Sequence, residues 1–162
     1  MKVYRIAKSA YIDDLSGMGA REFGGRWNHK GTSIVYTSGS RPLAVLECLV
    51  NLPMPVSPKA LDLKIATIVI PDVIIPKRIS ISDLPSNWRD YPAPLELADI
   101  GTKWARKKET LLLRVPSAVV HQEFNILINP LHPDIRRVKI SHIEDYRINH
   151  RLLREKKRGY LP

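Results

Sequence analysis

Thirteen prolines in 162 residues cut this chain into short pieces. A proline fixes φ and removes a backbone donor, so neither a helix interior nor a central strand runs through one. What lies between the prolines is read from side-chain period. KVYRIA reads as a first strand, and residues 8–32 as a long glycine-bearing connection. SIVYT alternates, with Ile34 and Tyr36 on one face and Val35 and Thr37 on the other. SGSRP then starts a helix, with Ser40 as its cap and Pro42 in its first turn. The helix LAVLECLVNL ends at Pro53 and Pro55, and LDLKIATIVI is a long strand ended by Pro71. ISISDLPSNW reads as a short strand entering a turn. PLELADIGTKWARKKE reads as a second amphipathic helix with a weak point at Gly101. LLLRV, SAVV, NILI and RRVKISHI are four further strand candidates. Strands outnumber helices and no βαβ rhythm appears. The expectation is an α+β fold with a mixed, mostly antiparallel sheet and a few helices.

Apolar residues are 44% of the chain and charged ones 26%, enough to bury the core of one domain. The apolar run IATIVIPDVIIP is too short and too interrupted to span a bilayer, and MKVYRIAKSAYIDD has no apolar signal region. A single cysteine, Cys48, forms no internal disulfide, which suits a reducing compartment. The expected location is the cytoplasm, with no membrane contact. His121, His132, His142 and His150 show no metal-binding spacing, so no metal is expected. The net charge is +10, and residues 136–162 hold nine of the 26 basic residues but only three of the 16 acidic ones. A basic tail over 146–162 is compatible with a solvated terminus, an acidic partner or nucleic acid.

The segment GGRWNHKG, residues 24–31, places Arg26 and Trp27 between glycines with no apolar period around them. An arginine presented there suits an anionic ligand, because its planar fork matches a phosphate. On the helix at 43–51, Leu43, Val45, Leu46, Leu49 and Val50 form one apolar arc, with Glu47 at its border. Arginine, tyrosine (Tyr36) and glutamate thus follow on three successive elements. A lone carboxylate is insufficient for an ordinary glycosidase, which must protonate its leaving group. It suffices for the nicotinamide bond of NAD, whose pyridinium leaves neutral.

YR at 4–5, GGRWNHKG, IVYTSGSRPLAVLECLV, GTKW, LLLRVPSAVV and NILINP occur in the order seen in RES-domain proteins, and the chain resembles that family from residue 3 to about 135. The resemblance implies a RES domain over 1–145 followed by the basic extension. It implies a fold like that of the diphtheria-toxin-type ADP-ribosyltransferases. It also implies a toxin that acts on NAD as a substrate, needs no prosthetic group, and is paired with an Xre-like helix-turn-helix antitoxin. Any DNA contact would run through that antitoxin, and a homodimer is left open. The implied site residues are Arg26, Tyr36, Glu47 and Ser117, with Arg5 holding the pyrophosphate beside Arg26 and Asn129 as a further ligand. For Asn129 the alternative is closure of a turn with Pro130. Ser117 would position substrate, since no histidine is spaced to make it a nucleophile. Water, phosphate or a protein side chain would each serve as acceptor. The rival reading is a basic RNA-binding protein or ribonuclease.

Overall fold

The computed structural model describes residues 1–52 and 61–153. Seven strands form one sheet in the order β4-β5-β6-β2-β1-β3-β7. They are β1 (Lys2–Lys8), β2 (Val35–Ser38), β3 (Leu63–Val69), β4 (Lys77–Arg78), β5 (Leu112–Pro116), β6 (Phe124–Ile128) and β7 (Lys139–Tyr146). All pairs are antiparallel except β4 with β5. Among the described residues three α-helices accompany them: α1 (Met18–Phe23), α2 (Arg41–Val50) and α3 (Leu95–Lys107). The α+β expectation with a mostly antiparallel sheet holds. No helix among the described residues is long and apolar enough to cross a membrane.

Alternation along each strand builds a core on both faces of the sheet. Val3, Val35, Ala66, Ile68, Leu112, Ile126 and Ile128 pack together on one face. Ile34, Leu113, Val115 and Leu127 pack on the other with Trp27, Trp88, Leu97 and Trp104, and Tyr36 borders them. The two tryptophans outside the arginine loop, Trp88 and Trp104, are thus packing residues. β1 meets β3 over seven residue pairs but meets β2 through Tyr4 and Ser38 alone. The sheet therefore parts at its middle. α2 lies against β1, where the Arg41 guanidinium sits 5.6 Å from the Tyr4 ring centre. α3 covers the β5–β6–β2 half.

Several local expectations meet a different outcome. The connection over 8–32 contains the short helix α1. SAVV is a turn and not a strand, because the Ser117 hydroxyl accepts from the backbone N–H groups of Val119 and Val120 at 3.1 and 3.0 Å. ISISD forms one 3₁₀ turn, closed by a capping box between Ser80 and Asp83. Residues 133–137 of the NPLHPDIRR stretch are also 3₁₀, so the last strand begins at Lys139. The helix stop at Pro53 and Pro55 and residues 154–162 of the basic extension lie outside the described residues.

Candidate active site

GGRWNHKG folds as a tight turn. The N–H of Gly25 donates to the Asn28 carbonyl at 3.0 Å and the N–H of Asn28 to the Gly25 carbonyl at 3.2 Å. Arg26 and Trp27 occupy its tip. Trp27 is 2% exposed and sinks into the core under α3. Arg26 turns to the loop at 88–90, donating Nη1–H to the Trp88 carbonyl at 2.7 Å and Nη2–H to the Asp90 carbonyl at 3.1 Å. Burial lowers its pKa, while Glu47, Tyr36 and Asp90 nearby act in the opposite direction and favour its charge.

Tyr36 fixes this turn from β2. Its hydroxyl accepts from the Trp27 N–H at 3.0 Å and donates to Asn28 Oδ1 at 2.7 Å. Burial pushes its pKa far above the usual range, so the phenol stays neutral. A side chain at Gly25 is excluded here, because a Cβ would come 2.7 Å from that hydroxyl. Asn28 completes the assembly and was not singled out in the sequence. Its amide donates to the carbonyls of Ala20, His29 and Thr32, at 2.7 to 3.1 Å. The available signal was its place directly after Arg26-Trp27.

Glu47 projects from α2, whose cap is as expected: the Ser40 hydroxyl accepts from the Leu43 N–H at 3.3 Å. The packed face of this helix differs from the expected arc. Leu43 and Ala44 are buried, whereas Leu46 and Val50 are 38% and 60% exposed. Glu47 stands four and three residues after the buried pair, so it shares their sheet-facing side. Its Oε1 accepts from the Ser117 hydroxyl at 2.7 Å and from Asn125 Nδ2 at 2.6 Å. Asn125 is held in turn by the Ser38 hydroxyl, which donates to its Oδ1 at 2.8 Å. Among the described residues Oε2 takes no hydrogen bond. Two donors on one oxygen suit an ionised carboxylate with a fixed direction. Asn125 and Ser38 were also missed, since Asn125 read as an ordinary strand residue and Ser38 as part of the turn into α2.

Ser117 is 0% exposed. Its proton goes to Glu47 and its oxygen accepts from two backbone donors, so the hydroxyl ties the glutamate to the turn after β5. Cys48 is half-buried, and burial raises its thiol.

Two expected residues stay apart from this cluster. Arg5 alternates with Tyr4, whose partner Ser38 shares the Tyr36 face, so Arg5 lies on the opposite face. Its guanidinium bonds the Asp14 carbonyl, with Asp13 and Asp14 as its charged neighbours. Asn129 is 0% exposed and closes a turn. Its amide donates to the Ala105 carbonyl at 2.8 Å, and its Oδ1 accepts from the Leu131 N–H at 3.0 Å. The turn alternative is the one the structure shows. Among the described residues no group of three or more His, Cys, Asp or Glu side chains gathers as a metal site.

The RES domain family model matches residues 2–149. The chain belongs to the RES-domain family. It is 38% identical over 157 residues to a Sphingobium protein called Prs ADP-ribosylating toxin, covering 94% of this chain and 96% of that one. It is 41% identical over 133 residues to Toxin Res of Yersinia enterocolitica, covering 82% and 86%. A chain of the solved M. tuberculosis MbcT–MbcA toxin–antitoxin complex shares the fold, with a TM-score of 0.62 at 18% identity, over 90% of this RES domain chain and 84% of its own. The family match extends three residues past Tyr146, the last residue of β7, and stops before the segment 150–162.

Proposed function

We propose that this RES domain is the toxin of a toxin–antitoxin pair and acts by cleaving the nicotinamide N-glycosidic bond of NAD. The observation that carries the reading is the Glu47 carboxylate. It is held at Oε1 by Ser117 and Asn125, has Oε2 free of protein partners among the described residues, and faces a half-buried arginine. The bond between ribose C1′ and the pyridinium nitrogen breaks. The electron pair goes to the ring, nicotinamide leaves neutral, and positive charge develops on the ribosyl unit. A fixed carboxylate stabilises that charge without reorganising at the moment of reaction. Arg26 holds a phosphate of the pyrophosphate, and Tyr36 packs beside the nicotinamide half. An acceptor then attacks C1′ and loses its proton: water gives hydrolysis, phosphate gives phosphorolysis. The name of the Sphingobium relative favours a second acceptor, a protein side chain. The toxin role and an antitoxin partner are supported by the names of the relatives and of the solved complex. An Xre-like helix-turn-helix protein is the partner proposed, and the cytoplasm, where NAD is found, the location.

The test is incubation of the purified protein with NAD, with and without a candidate acceptor protein, following nicotinamide release by chromatography. Release by the wild type and its loss in Glu47→Gln, with an unchanged thermal melt, is the expected result. A protein that leaves NAD intact and degrades RNA would replace this reading with that of a ribonuclease.

A further inference from the structure

A groove of about 230 Å³ lies on the side of the Arg26 turn facing α1 and α3. Its apolar walls include Phe23, Pro94 and Leu95, and its polar lining includes Arg26, His29 and Lys30. Phe23 and Leu95 are each 71% exposed, so two large apolar side chains flank a space that none of the described residues fills. Exposed apolar surface next to convergent charge suits a ligand with a flat apolar part and an anionic part. Arg26 belongs to this lining and also has Glu47 and Tyr36 among its close charged and polar neighbours. It therefore stands at the junction of the groove and the carboxylate site.

We propose that this groove is the subsite for the adenosine monophosphate half of NAD, with the base between Phe23 and Leu95 and the adenylyl phosphate facing Arg26 and Lys30. The inference rests on the NAD reading above. NAD is two nucleotides joined through a pyrophosphate. With one half at Glu47 and the pyrophosphate at Arg26, the second half must continue past Arg26, and the groove is what lies there. The base stacks on the Phe23 ring, which offers a π-face to any purine. The cations meet the phosphate, and no residue of the groove need touch the reacting bond. The groove thus sets affinity for NAD, while Glu47 sets the rate.

The experiment uses the full chain and two variants, Phe23→Ala and Leu95→Glu, each with a thermal melt. Both positions are exposed, so both variants should fold. AMP binding is measured by calorimetric titration of the free protein, and turnover is measured on NAD and on nicotinamide mononucleotide, which lacks the AMP half. The expected result is AMP affinity reduced about tenfold in Phe23→Ala, the loss of one base stack, and reduced further in Leu95→Glu, which adds a negative charge. The KM for NAD should rise by the same factor with kcat kept, and nicotinamide mononucleotide turnover should not change. Unaltered AMP affinity and NAD KM in both variants, with NAD consumed by the wild type, would overturn the groove assignment and leave the NAD reading standing. A wild type that binds no AMP overturns it as well. Failure to consume NAD, whatever AMP does, would count against the NAD reading itself. Variants that keep AMP affinity but lose a partner protein would assign the groove to that partner.

Discussion

Gly101 decides whether the arginine turn can stay where it is. In an open helix, Gly→Ala gains about 1 kcal/mol. At Gly101 a Cβ would come 1.9 Å from the Trp27 carbonyl oxygen and 2.9 Å from its carbon. Ordinary contact begins near 3.4 Å, so turn and helix must separate by about 1.5 Å. The obstructing atoms are backbone, and Trp27 is 2% exposed, so no flexible side chain can absorb the shift. Overpacking of this kind costs about 1–3 kcal/mol, and more where the clash is backbone. Set against the propensity gain, a net loss of up to about 2 kcal/mol is expected, or up to about 8 °C of melting temperature for a domain of this size. Turnover should suffer more. The turn carries Arg26, and a displacement of about 1 Å at a positioning group can cost about 100-fold in rate. Gly19 supplies the control, because nothing lies within 4 Å of its Cβ position, and Gly19→Ala should be neutral or stabilising. The assays are a thermal melt and nicotinamide release from NAD. A Gly101→Ala protein that melts at or above wild type and turns over NAD normally would refute the clamp between α3 and the Arg26 turn.

Asn125→Asp replaces a donor by a carboxylate facing Glu47 Oε1 across 2.6 Å. Two carboxylates in that contact repel, so the aspartate should push Glu47 off its fixed direction and nicotinamide release should fall by about tenfold or more with the melt little changed; release near wild type would remove Asn125 from the positioning of Glu47. Arg26→Lys should fail almost as badly as Arg26→Ala, since one ammonium cannot reach the Trp88 and Asp90 carbonyls and a phosphate in the same fork. Lysine activity near wild type would make Arg26 a general charge instead of a clamp.

Much of this protein was settled by local chemistry. The Ser40 cap and Pro42 start α2 wherever it packs, and the alternation of SIVYT puts Ile34 and Tyr36 on one face in any sheet. The loop character of GGRWNHKG, with Arg26 at its tip, follows from its glycines and missing period. Other properties were decided only when distant segments met. The apolar arc of α2 included Leu43 together with Leu46 and Val50, but the sheet covers only its Leu43 edge along with Ala44, leaves Leu46 and Val50 exposed, and so turns Glu47 inward. A helix period says that a face exists, and only the neighbouring layer says which face is used. The family resemblance implied Arg5 beside Arg26, yet strand alternation and the Tyr4–Ser38 pairing send it to the other side of the sheet. Ser117, Asn125 and Ser38 gather on Glu47 and on one another across 70, 78 and 87 residues of sequence. Hydrogen bonds over such separations leave no local pattern, because each residue is an ordinary strand or turn residue until the sheet brings its partner within about 3 Å.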